Sequence, residues 1–186
     1  VLLENGHEVT LWSYREEEST ILREKRENPM LKGVTLPEAM HFTADLACVA
    51  DCGAVLMVTP SYAVRETAAK LRAFLRPGTV VISASKGIEK STSLRLSQVI
   101  EEELEGKCPV VVLSGPSHAE EVGRHVPTGV VAASEDLELA RQVQDLRGQN
   151  AGGWALYRYG SLFGAGAPEQ AAAECAALRA LTGKEG

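Results

Sequence analysis

Apolar positions along the chain follow two patterns. In "AVLMVTP" (54–60), "TVVISAS" (79–85) and "CPVVVLSG" (108–115) they are consecutive over strand length. Such runs suit parallel strands covered on both faces. "HEVTLW" (7–12) alternates, and "MHFT" (40–43) and "TGVVAAS" (128–134) complete the predicted strands. Between them, "EEESTILREKR" (16–26), "SYAVRETAAKLRAFL" (61–75), "STSLRLSQVIEEEL" (91–104) and "EDLELARQVQDL" (135–146) predict helices, with shorter ones at "DLACVAD" (45–51) and "PSHAEEVG" (116–123). The first runs from acids to bases, the order a helix dipole favours. Asn28-Pro29 and Pro77-Gly78 stop two helices, and the third has a Ser/Thr start. Val1–Leu3 leading into Asn5-Gly6 reads as the last turn of a helix with its glycine stop, so the chain is expected to begin inside an element.

Strands and helices alternating at this spacing predict an α/β fold: a Rossmann-like, doubly wound, mainly parallel sheet lacking its first strand. In such sheets ligands sit at the carboxyl ends of the strands. Residues 1–146 are read as this domain. Residues 147–186 form an atypical tail in which Ala and Gly supply 18 of 40 positions. "GGWALYRYGSLFGAG" has no clear period, and only "PEQAAAECAALRALTG" looks helical, with Pro168 at its first turn.

Composition narrows the function. A net charge of -6 argues against a general nucleic-acid binder, and no apolar run is long enough to span a bilayer. Cys48, Cys52, Cys108 and Cys175 lack metal or disulfide spacing, so reduced thiols in a cytoplasmic protein are expected.

Three strand ends carry candidate chemistry. At the first, Ser13, Tyr14 and Arg15 precede the acids that begin at Glu16. An acid at this edge binds a ribose hydroxyl, whereas arginine accommodates a 2′-phosphate, so the edge favours NADP, or tolerance of both NAD and NADP, unless Arg15 is merely a surface residue. At the second, Thr59-Pro60-Ser61 lets backbone lie against a cofactor, although helix capping is the simpler account of Ser61. At the third, Lys86-Gly87 ends a buried strand. Lys86 is either a solvated strand-end lysine or a point charge for phosphate. "SGPSHAEE" offers Gly115 for close backbone approach, Pro116 at a helix start, and free amides from Ser117 to Ala119 as an anion site; an ordinary turn with Ser117 as cap explains the same residues. His118 is read as decorating that first turn. His7, His41 and His125 have no companion pattern.

In their order and spacing, "NGHEVTLW", "VTPSY", "SASKGIE" and "SGPSHAEEV…PTGVVAAS" resemble bacterial NAD(P)-dependent glycerol-3-phosphate dehydrogenase over residues 1 to about 146. The resemblance implies reversible hydride transfer between NAD(P)H and dihydroxyacetone phosphate, giving sn-glycerol 3-phosphate for phospholipid synthesis. It implies cofactor contacts at Tyr14, Arg15, Thr59, Pro60, Lys86 and Ala119, and substrate contacts at Lys86, Gly115 and Ser117. It implies neither nucleic acid nor membrane as partner, and a homodimer in the complete protein. The family's Gly-rich first turn precedes the residues matched here. Its catalytic lysine belongs to a "GGALKN"-like helix, which "AGGWALYRYG" echoes without the lysine. No lysine lies between Lys107 and Lys184. Lys184 has none of the expected context, and Arg158 is too basic to accept a proton. No catalytic residue is therefore assigned, the helical substrate domain is not recognisable, and an incomplete, inactive member of the family is expected. Two rivals remain: another small-hydroxyacid or ketopantoate-type reductase, and a non-catalytic nucleotide- or partner-binding Rossmann domain.

Overall fold

The computed structural model describes residues 2–126, 129–145 and 154–158. β1 (Thr10–Trp12) and β2 (His41–Thr43) form a parallel pair, connected by α1 (Glu16–Lys25). A separate five-stranded sheet contains, in spatial order, β3 (Ala54–Met57), β4 (Val80–Ser83), β5 (Val110–Ser114), β6 (Val130–Ser134) and β7 (Trp154–Arg158). The expected Rossmann-like α/β architecture is present. Leu3–Asn5 form a single 3-10 turn stopped by Gly6 at φ 83°, the predicted helix end. The 45–51 segment is also 3-10, and the Asp45 carboxylate accepts from the Ala47 N–H to start it.

Between β3 and β4 runs α2 (Val64–Leu71), and between β4 and β5 runs α3 (Leu96–Leu104). They pack side by side on one face of the sheet. Val64, Ala68, Val81, Val99, Ile100 and Leu104 close the main core, together with Met57, Leu71 and Leu75. On the other face α5 (Leu137–Asp145) brings Ala140 and Val143 onto Ile82, Val111 and Ala132.

Five expectations need correction. β6 runs antiparallel to β5. A parallel neighbour needs a crossover that returns the chain to the other end of the sheet. Here the link holds only the short α4 (Ala119–Gly123), and Gly115 lies directly against the Gly129 backbone, so β6 starts where β5 ends. The run 54–60 is not covered on both faces, because Leu56 and Val58 are exposed. The third helix has no Ser/Thr start: it begins at Leu96, and the Gln98 side chain accepts from the Arg95 N–H. Pro116 does not open a helix, since α4 begins at Ala119. Finally, 154–158, which has no period, is a strand pairing parallel with β6. Strand pairing is decided by a neighbour's backbone, which hydrophobic periodicity does not report. The helix expected in 168–183 and Cys175 lie outside the described residues.

Candidate functional site

β3, β4 and β5 are parallel, so their carboxyl ends share one edge of the sheet. Beyond β4, the Ala84 N–H and the Ser85 hydroxyl both donate to the Met57 carbonyl, at 2.9 and 3.4 Å. This ties the exit of β4 to that of β3. Lys86 then crosses to β5: its Nζ donates to the Gly115 carbonyl at 3.3 Å and the Ser117 carbonyl at 2.7 Å. An ammonium has three donors. Two are used here, and the exposed side chain leaves one for a ligand.

The structure thus brings together Lys86, Gly115 and Ser117. Gly115 has a packing reason of its own, because a Cβ there would stand 2.4 Å from the Gly129 carbonyl oxygen and 3.1 Å from the Val130 Cα. Ser117 contributes its carbonyl to Lys86 in place of the expected helix-start role. Ala119 is the first residue of α4, and exposed His118 is its N-cap without a side-chain cap bond.

At the end of β3, the Thr59 hydroxyl is buried and has no hydrogen-bond partner among the described residues. Burying an unpaired hydroxyl is costly, so this edge presents an unfilled polar position of the kind a cofactor's ribose or phosphate oxygen would satisfy. Pro60 precedes a 3-10 turn, Ser61–Ala63, that leads into α2. Ser61 makes no cap bond, contrary to its simpler reading. It packs against Gly87 instead: a Cβ on Gly87 would lie 3.6 Å from the Ser61 Cβ, and Gly87 holds φ at 105°. The glycine beside the lysine is a turn residue in left-handed space that also clears Ser61.

Tyr14 and Arg15 stand at the end of β1, and among the described residues no hydrogen bond or ion pair joins them to Lys86. Tyr14 is 68% exposed and braced edge-on by Trp12, with ring centroids 6.4 Å apart. The Trp12 indole N–H in turn donates to the Ala44 carbonyl at 2.9 Å. Lys70 of α2 places its ammonium 5.3 Å from the Tyr14 ring centroid. A hydrogen bond to Glu66 raises the Lys70 ammonium above the ordinary lysine value. Exposed Arg15 sets the extended entry to α1.

Two residues carry a geometry that the sequence reading left without a role. Arg65 grips Glu89 with both arms of its guanidinium, Nε to Oε1 at 2.7 Å and Nη2 to Oε2 at 2.8 Å. It also donates to Glu103 at 2.6 Å and Glu102 at 2.9 Å. The Arg65 bonds, followed by the Thr92 hydroxyl, hold the Glu89 carboxyl down to about 2. Spacing offered a signal: Arg65 follows Ser61 by one helical turn, and Glu89 follows Lys86 by three residues.

Elsewhere the chemistry is quiet. Burial pushes the Cys48 and Cys108 thiols up, which makes them poor nucleophiles. Among the described residues no cluster of His, Cys, Asp and Glu could hold a metal ion, and no helix is long and apolar enough to cross a membrane.

Comparison with known proteins gives a family. Residues 1–140 match the family model described as NAD-dependent glycerol-3-phosphate dehydrogenase N-terminus. A glycerol-3-phosphate dehydrogenase [NAD(P)+] of Moorella thermoacetica is 51% identical over 148 residues, spanning 78% of this chain and 44% of that protein. The one from Desulfitobacterium hafniense is 47% identical over 142 residues, 76% of this chain and 40% of its own length. The crystal structure of glycerol-3-phosphate dehydrogenase from Coxiella burnetii superimposes with a TM-score of 0.73 at 29% identity, covering 84% of this chain and 48% of that one. The chain spans less than half the length of these relatives.

Proposed function

As the chain belongs to the NAD-dependent glycerol-3-phosphate dehydrogenase N-terminus family, we propose that it is the cofactor-binding portion of an enzyme interconverting dihydroxyacetone phosphate and sn-glycerol 3-phosphate. Residues 1–146 would form that unit, and 147–186 would stand where the helical substrate domain begins. The observation that carries the reading is Lys86, a strand-end lysine held by two carbonyls with one donor to spare. A phosphorylated small molecule is the ligand that donor suits.

Thr59, Pro60, Lys86 and Ala119 would line the cofactor along the strand ends. The unpartnered Thr59 hydroxyl supports this assignment. Tyr14 would offer a flat, braced surface beneath the adenosine end. Arg15 favours a 2′-phosphate, hence NADP over NAD. When bound, the nicotinamide supplies the hydride that passes to or from a carbonyl carbon. Lys86, with Gly115 and Ser117 behind it, orients the substrate's phosphate. No lysine lies between Lys107 and Lys184 to supply the proton at the carbonyl oxygen. The chain by itself is expected to bind a dinucleotide and turn nothing over.

The test is NADPH and NADH titration of the chain, then dihydroxyacetone phosphate-dependent NADPH oxidation. The second assay is run on the chain alone and on a fusion of residues 1–140 to the remainder of the Moorella protein. Expected are binding by the chain, turnover by the fusion only, and loss of at least about tenfold in fusion activity for Lys86→Met, as for removal of a charged contact. A fusion that folds yet neither binds dinucleotide nor turns over sinks the dehydrogenase reading. Dinucleotide binding without turnover would favour the non-catalytic domain.

A further inference from the structure

The loop after β4 does not hang from the strand end by itself. Ser83 is buried in β4, and three residues later Lys86 donates its bonds to the carbonyls of Gly115 and Ser117. Three residues later again, Glu89 is gripped by Arg65. A chain spans at most about 3.5 Å per residue, so Lys86 sits between two anchors with little slack. Beyond Glu89 the loop folds onto itself. The Glu89 N–H donates to the Leu94 carbonyl at 2.9 Å, the Ser93 N–H donates to the Glu89 carbonyl at 2.8 Å, and Ile88 bridges Arg95. Thr92 donates to the same carboxylate that Arg65 holds. Gly87, between the two anchors, rests on Ser61, one helical turn ahead of Arg65.

Resting on the reading of Lys86 given above, we propose that Arg65, acting through Glu89, is the positioning residue for the ligand-binding lysine. It fixes where the third Lys86 donor points. A purely structural role, joining α2 to α3, would be met by Glu102 and Glu103, which both lie on α3. The two-pronged contact is instead made with Glu89, on the loop. Such fork-to-fork geometry sets direction as well as distance, which a point charge does not. The segments containing Ser61 and Lys86 are therefore one mechanical unit: the stretch from β3 into α2 both presents Thr59 at the strand end and holds the lysine loop in register with it.

The test compares Arg65→Met, Arg65→Lys and Glu89→Gln in the full chain by two readouts. In the first, reductive methylation of Lys86 is followed by peptide mass spectrometry, with Lys90 of the same loop as internal reference. Expected is faster Lys86 labelling relative to Lys90, by about threefold or more, in all three variants, as for loss of a coupled contact. Arg65→Lys keeps the charge and is expected to recover thermal stability without recovering Lys86 protection. If Arg65→Lys restores both, Arg65 is only a charge between helices and the proposal falls. An unchanged labelling ratio in Glu89→Gln overturns it as well, and that variant leaves the Arg65 contacts with Glu102 and Glu103 between α2 and α3 in place. The second readout is NADPH affinity in a double-mutant cycle with Lys86→Met. Arg65→Met is expected to weaken binding about tenfold in the native background and not at all with Lys86 gone. Equal losses in both backgrounds overturn the positioning role. If Lys86→Met itself leaves NADPH affinity unchanged, the assignment of Lys86 to the ligand fails, while the labelling ratio still decides what Arg65 does.

Discussion

Leu56 and Ile82 are neighbours in register on adjacent parallel strands and so face the same side of the sheet. Ile82 is 6% exposed beneath α5; Leu56 is 41% exposed. On the opposite side the same two strands present Met57 and Val81 to α2 and α3, and both are buried. One face is thus closed over β3 and β4, whereas the other is closed over β4 to β6 and open over β3. An apolar run tells which residues can be buried; what lies on top of them is settled by how far a covering helix reaches.

Substitutions can break or sharpen this contrast. The largest effect is expected at the closed face. Ile100→Ala removes a fully buried side chain and should cost about 3–4 kcal/mol, while Leu56→Ala should cost under about 1 kcal/mol. Urea midpoints of the two variants measure the difference, and equal losses would mean that the open face is covered in solution. Next comes the seam between β5 and β6. Gly115→Ala drives a methyl group into the Gly129 carbonyl and should cost about 1–3 kcal/mol. It should also weaken NADPH binding, because the Lys86 bonds depend on that backbone. Unaltered stability and affinity would show that the seam yields easily. The smallest effect concerns Glu89, whose side chain is 12% exposed. Its carboxyl is held to about 2 against an ordinary 4.5, so the bond's contribution is fully present above about pH 4.5. It is lost as pH falls through 2. The denaturation midpoint of Glu89→Gln should therefore converge on that of the native chain between pH 4.5 and 2. A constant gap over that window would contradict the Arg65–Glu89 bond.

Strands β1 to β6 and most helices were readable because burial imposes period and length. Lys86, Gly115 and Ser117 were readable as a group because strand ends in a parallel sheet converge. What escaped was set by partners distant in sequence. Arg65 looked like one more helix charge, since its value lies in Glu89, 24 positions away. Ser61 looked like a cap because the glycine it packs on is 26 residues later. The direction of β6 hinges on two glycine backbones meeting, and Gly115 advertised only closeness, not to what. Two short strands paired apart from the main sheet gave no local sign of the separation.

The reversal at β6 also dictates a route. β6 sets out from the Lys86 edge, and β7, parallel to it, ends with Arg158 beside Ser134 at the opposite edge. Five strand residues span about 17 Å. The Arg158 end of β7 therefore lies on the side facing away from the crevice, with the depth of the sheet between it and Lys86.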